Sequence, residues 1–124
     1  MVVDTSVILA LYFNEPHAAW AAEQLNRNAG HLRMSTVNLT ETLIRIRDRQ
    51  PTLADSLETQ LLGSGIRFVP PDQAQAITAA RARLRFPLNL GDCFAYALAV
   101  AESCPVLTLD SDFRSLDVPV ILPP

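Results

Sequence analysis

Apolar residues in this chain follow two patterns: short unbroken runs, and longer stretches with helical spacing. Met1–Asp4 is a short apolar run ending in an acid. Thr5 or Ser6 then starts Val7–Phe13, apolar on every side, which reads as a buried helix after a buried strand. Asn14-Glu15-Pro16 starts the next helix, with proline in its first turn, and Ala29-Gly30 stops it after Asn28. Leu32–Thr36 is a second strand, followed by a helix from Val37 to Asp48 that Gln50-Pro51 breaks. Leu53–Leu62 is helical and stops at Gly63-Ser64-Gly65; Ile66–Val69 is a third strand, closed by Pro70-Pro71. Asp72–Arg85 is a helix and Pro87–Gly91 a loop. Asp92 opens an alanine-rich helix that ends near Ser103. Val106–Leu109 and Val118–Leu122 are the last two strands. Strands alternating with helices predict an α/β fold, with a parallel sheet covered on both faces. At 124 residues the length fits a single domain, 1–124.

Composition narrows the function classes. With 49% hydrophobic and 19% charged residues the chain is no disordered segment. No apolar run reaches the ~18 residues of a membrane span, and the start meets an acid at once rather than a basic leader, so a cytoplasmic protein is expected. Every one of the ten cations is arginine. The lack of lysine excludes a P-loop, a Schiff base and the late lysine of a receiver domain. It also weighs against a haloacid-dehalogenase-like phosphatase, whose Asp-x-Asp is followed by Thr or Val where Asp110-Ser111-Asp112 meets Phe113. The net charge of −3 argues against nucleic-acid binding unless several acids belong to one metal site. Cys93 and Cys104, if both helical, lie ~16 Å apart along the axis, too far for a disulfide. His17 and His31 form no zinc pattern.

The acids gather at one rim. Asp4 ends the first strand, Asp110 ends the fourth and Asp112 follows two residues on; Glu41 and Asp92 lie near the starts of helices. In an alternating fold these are all on the carboxyl side of the sheet, where ligands bind. Each has a plain alternative. Asp92 can be an N-cap, Glu41 the third residue of a capping box with Asn38 or a partner of Arg45, and Asp110 an Asx turn. Four carboxylates in one cleft repel one another, however, and a fold tolerates that with a compensating cation. Oxygen ligands without His or Cys point to Mg²⁺ or Mn²⁺, and to phosphodiester hydrolysis by a metal-activated water.

Val3-Asp4-Thr5-Ser6, Glu41, Leu90-Gly91-Asp92-Cys93-Phe94 and Leu107-Thr108-Leu109-Asp110-Ser111-Asp112-Phe113 resemble, in order and spacing, the four motifs of PIN-domain ribonucleases. Among these they are most similar to the VapC toxins of bacterial toxin–antitoxin pairs. The resemblance implies a three-layer α/β/α fold with a five-stranded parallel sheet, and a Mg²⁺- or Mn²⁺-dependent endoribonuclease. Asp4, Glu41, Asp92 and Asp110 match the catalytic, metal-binding quartet. Asp112 matches a further acidic position, and Thr5 and Thr108 match hydroxyls that orient a carboxylate or water. The resemblance also implies a cognate antitoxin, a homodimer, and operator DNA bound only through the antitoxin. A non-enzymatic RNA-binding or scaffold protein of the same fold is the alternative, separated by divalent-metal binding.

With no lysine, RNA contact falls to arginine, which grips phosphate bidentately and stacks on unpaired bases. Arg81, Arg83 and Arg85, just before the loop to Asp92, are the expected RNA contacts, and Arg45, Arg47 and Arg49 stay unassigned. Trp20 points ~200° from Ala18, off the stripe of Ala18, Ala21, Ala22, Leu25 and Ala29. It is therefore expected to be exposed, as a partner-binding residue for the antitoxin.

Overall fold

The structure, a computed structural model, describes residues 1–124. Five short strands form one parallel sheet: β1 (Val2–Val3), β2 (Arg33–Ser35), β3 (Arg67–Val69), β4 (Val106–Leu107) and β5 (Val120–Ile121). Their order is β3-β2-β1-β4-β5. Six helices join them: α1 (Thr5–Tyr12), α2 (Ala18–Arg27), α3 (Thr36–Arg49), α4 (Ala54–Leu62), α5 (Gln73–Arg85) and α6 (Leu90–Glu102). A 3-10 helix, Ser111–Ser115, precedes β5.

Alternation along the strands builds two cores. Val2 and Val106 face α5 and α6, packing with Ala79, Ala82, Ala95 and Ala99. Val3 and Leu107 face the other way, onto Val7, Ile8, Ala21 and Leu61. α6 is buried along most of its length, with Ala95, Ala97 and Ala99 almost wholly buried beside Cys93, Tyr96 and Leu98. Phe113 is fully buried in the same core and pins the turn after Asp110. A Phe-to-Ala truncation in such a place costs ~3–5 kcal/mol. At the opposite edge of the sheet, Arg33 and Arg67 stand directly opposite each other on β2 and β3. Glu102, at the end of α6, holds both, at 2.8 and 2.9 Å.

Three helix starts differ from expectation. α2 begins at Ala18, because Asn14 and His17 take left-handed φ of 50° and 72° and turn the chain through Pro16. α3 is capped by Ser35, so Asn38 and Glu41 form no capping box. α6 starts at Leu90 and Asp92 does not open it: Asn89 is the N-cap and Asp92 its reciprocal third residue. Both cysteines are free, Cys93 on α6 and Cys104 just beyond it. Trp20 is half-buried against the Val7–Leu61 core rather than exposed. Its wide indole folds over the edge of the stripe that its backbone angle leaves. No helix is long and apolar enough to cross a membrane.

From β1 the chain builds outward through β2 to β3, then returns to place β4 on β1's other side. A crevice opens where strand order reverses, beyond the carboxyl ends of β1 and β4. Asp4 and Asp110 follow those two ends.

Candidate active site

Asp4 leaves β1 in extended conformation and caps α1. Its Oδ2 accepts the Ser6 hydroxyl at 2.7 Å and the Thr108 hydroxyl at 2.9 Å. The same hydroxyls also accept: Thr108 Oγ1 from the Asp110 N–H at 3.0 Å, Ser6 Oγ from the Leu109 N–H at 3.0 Å. Two side chains thus lace the end of β1 to the end of β4. Burial raises the Asp4 pKa, against the lowering pull of those hydrogen bonds. Ser6 is a positioning residue whose role no motif of the sequence marks. Its only signal is its place two residues after an acid at a strand end.

Glu41 sits one and a half turns into α3. Its Oε1 accepts the Thr5 hydroxyl at 2.8 Å and the Asn38 side-chain N–H at 3.4 Å. Asn38 also donates to the Gly91 carbonyl at 2.9 Å, fastening α3 to the first turn of α6. The buried Asn38 Oδ1 has no partner. Gly91 has to be glycine for Glu41 to stay where it is: a Cβ there falls 2.5 Å from Glu41 Oε2. Arg45, one turn on, makes no ion pair with Glu41.

Asp92 and Asn89 form a capping box: Asn89 Oδ1 accepts the Asp92 N–H at 2.8 Å, and Asp92 Oδ2 the Asn89 N–H at 3.2 Å. Burial first, and then the Asp4 charge, push the Asp92 carboxyl up to about 7. Asp110 Oδ1 accepts the Asp112 N–H at 2.9 Å and caps the 3-10 helix.

A cavity of about 180 Å³ is lined by Asp4, Glu41, Asp92 and Asp110, with Thr5, Ser6, Arg45 and Asn89 beside them. Sequence reasoning expects the four acids within a few ångström of one another. They face one cavity, yet no three are gathered tightly enough to hold an ion. Each is turned to its own donor, as mutually repelling carboxylates are. Asp112 is exposed and outside the cavity lining. Arg81, Arg83 and Arg85 are exposed on α5, and none lines the cavity; Arg85 is tied to Asp117 at 3.0 Å and lies over Phe86. The arginine in the cavity wall is Arg45.

The donors fit a hard dication. All are oxygens, and the charges of Asp4, Asp110 and Glu41 add to burial in raising Asp92.

Known proteins place this arrangement. Residues 1–119 match the PIN domain family. The ribonuclease VapC30 of Mycobacterium tuberculosis is 34% identical over 134 aligned positions that cover 100% of both chains. VapC42 of the same species is 34% identical over 128, covering 95% of this chain and 96% of that one. Of solved structures, M. tuberculosis VapC20, a toxin that cleaves the sarcin-ricin loop, superposes with a TM-score of 0.84 at 17% identity, covering 98% of each chain. VapBC2 of Rickettsia felis, bound to a fragment of its promoter DNA, gives 0.81 at 12% identity, covering 98% and 96%. The chain belongs to the PIN-domain family, in its VapC branch of endoribonuclease toxins from toxin–antitoxin pairs. Membership brings the use of a divalent cation.

Proposed function

We propose that residues 1–124 act as one PIN domain that hydrolyses RNA phosphodiester bonds, with Asp4, Glu41, Asp92 and Asp110 holding Mg²⁺ or Mn²⁺. The observation that carries this is four carboxylates, from four separate elements, lining one small cavity at the sheet's switch point. When bound, the cation supplies charge neutralisation and a lowered water pKa. The chain's residues do the rest. Thr5 turns Glu41 and Thr108 turns Asp4, so that neither carboxylate is free to rotate away. Asn89 fixes Asp92 by two bonds. Asp112 has no ligand role in this reading, since it faces solvent.

The antitoxin takes the apolar groove of about 370 Å³ between α1, α2 and α4, whose lining includes the half-buried Leu11, Tyr12 and Leu25. Operator DNA is bound by the antitoxin and not by this chain. The chain acts in the cytoplasm and as a homodimer. Leu84 and Leu90, 90% and 68% exposed, are its contact.

The test is cleavage of single-stranded RNA by the purified chain with Mn²⁺, Mg²⁺ or EDTA. Cutting should need the metal, and Asp4→Asn should lose it by ~10²-fold or more. Cutting in EDTA, or by Asp4→Asn at the normal rate, would exclude this site. RNA binding with no cutting in any metal would favour the scaffold alternative.

A further inference from the structure

The acidic cavity does not end at the carboxylates. A groove of about 330 Å³ runs on from it beside α1, sharing Ser6, Leu9, Arg45 and Asp110. Its far wall is Phe13 and Arg49. Glu41, Arg45 and Arg49 recur every fourth residue on α3, so they form one row, with ~6 Å of rise per step. The row begins at a carboxylate of the site and ends at an aromatic ring, where the Arg49 guanidinium lies 4.0 Å over Phe13.

The other arginines of the two clusters are occupied or elsewhere. Arg47 reaches to α4, pairing with Asp55 at 3.2 Å and Glu58 at 3.1 Å. Arg85 is held by Asp117, and Arg81 and Arg83 line neither cavity. Arg45 has no carboxylate partner at all. Arg49 has one long contact, 3.8 Å to Glu15, which also lines the groove and offsets part of its charge. Such an exposed pair is weak and yields readily.

We propose that this groove is the subsite for the nucleotide flanking the scissile phosphate, a proposal that rests on the ribonuclease function above. Arg45 takes that nucleotide's phosphate, and Arg49 stacks on its unpaired base. Carboxylates repel a polyanion, so an RNA strand leaving the site needs a cation at the next step, and Arg45 is the one there. Arg49 lies over Phe13 and lines the groove together with it. Its freedom is already spent on the ring, so a base meets a flat, ordered cation. A base needs to be unstacked to reach it, which selects single-stranded RNA over duplex.

The experiment uses an Asp4→Asn background and a short labelled single-stranded oligoribonucleotide. Fluorescence anisotropy reads the Kd across a salt series, and a gel reads cutting separately. Cutting by Asp4→Asn would count against the carboxylate site while leaving the binding result intact. Arg45→Gln should weaken binding and lower the salt slope by ~0.7, one phosphate contact. Arg49→Gln should weaken it by about fivefold or more. Arg49→Lys should keep the slope and still lose most of that affinity, since an ammonium cannot stack. Arg81→Gln with Arg83→Gln should change neither quantity. Unchanged Kd and slope in Arg45→Gln with Arg49→Gln would overturn the subsite. So would full binding by Arg49→Lys. If the two variants bind RNA normally but escape the antitoxin, the groove belongs to that protein and the proposal fails.

Discussion

Asp92 shows what one residue carries in this fold. The same side chain closes a helix cap and faces three other acids. Its folded pKa is about 7 against an ordinary 3.8. The folded protein therefore holds this proton across that window and the unfolded chain does not. Its contribution to stability is full below about 3.8 and is lost as pH rises through about 7. In EDTA, the melting temperature should fall between about pH 4 and pH 7, and Asp92→Asn should flatten that fall, measured by calorimetry across pH. Equal slopes would mean that Asp92 is not the group that holds the proton in the folded chain. The four acids were legible in the sequence because each sits inside a short motif at a strand or helix end. The hydroxyls between them were less so. Ser6 joins Asp4 to the β4 side only because Leu109 arrives beside it from 103 positions away, which no local pattern encodes.

At the scale of elements, the contact of α3 with α6 sets Glu41. Asn38 ties the two helices, and Gly91 leaves room for the carboxylate. Gly91→Ala should fold well, since alanine favours a helix by ~0.5–1 kcal/mol over glycine. Its methyl group would push Glu41 aside, and a displacement near 1 Å costs up to ~10²-fold in rate. The expected result is a melting temperature unchanged or higher with cleavage down by about 10–100-fold; a full cutting rate would show that Glu41 is not held by this contact. Element types were readable throughout, helix starts less so. Asp92 and Asn89 lie three apart and both suit a cap, so sequence alone leaves the first turn of α6 looking like loop. Glu41 is three after Asn38, the same signature, but there Ser35 takes the cap instead. Trp20 escapes the helical wheel because that angle describes Cβ, and an indole reaches well past it to the core.

For the whole molecule, the order β3-β2-β1-β4-β5 is the feature that makes the site. Fold class was legible from alternation alone, but strand order was not, because it depends on which edge of β1 each later strand joins. A cation held by acids from both halves should brace them against each other. At metal ~100-fold above its Kd the expected gain is ~2.7 kcal/mol, a rise of several degrees in melting temperature on adding Mn²⁺. Asp110→Asn should lose most of that rise. An equal rise in the variant would place the ion elsewhere.

The lacing of Asp4 to Thr108 spans 104 positions, nearly the full chain. Synthesis at ~5–20 residues per second separates the first acid of the site from the last by roughly 5–20 s. Throughout that time the nascent chain has its first strand but no neighbour on the β4 side, and Asp4 lacks the Thr108 hydroxyl that orients it. The site can therefore assemble only after its last acid has been made, however early Asp4 emerges.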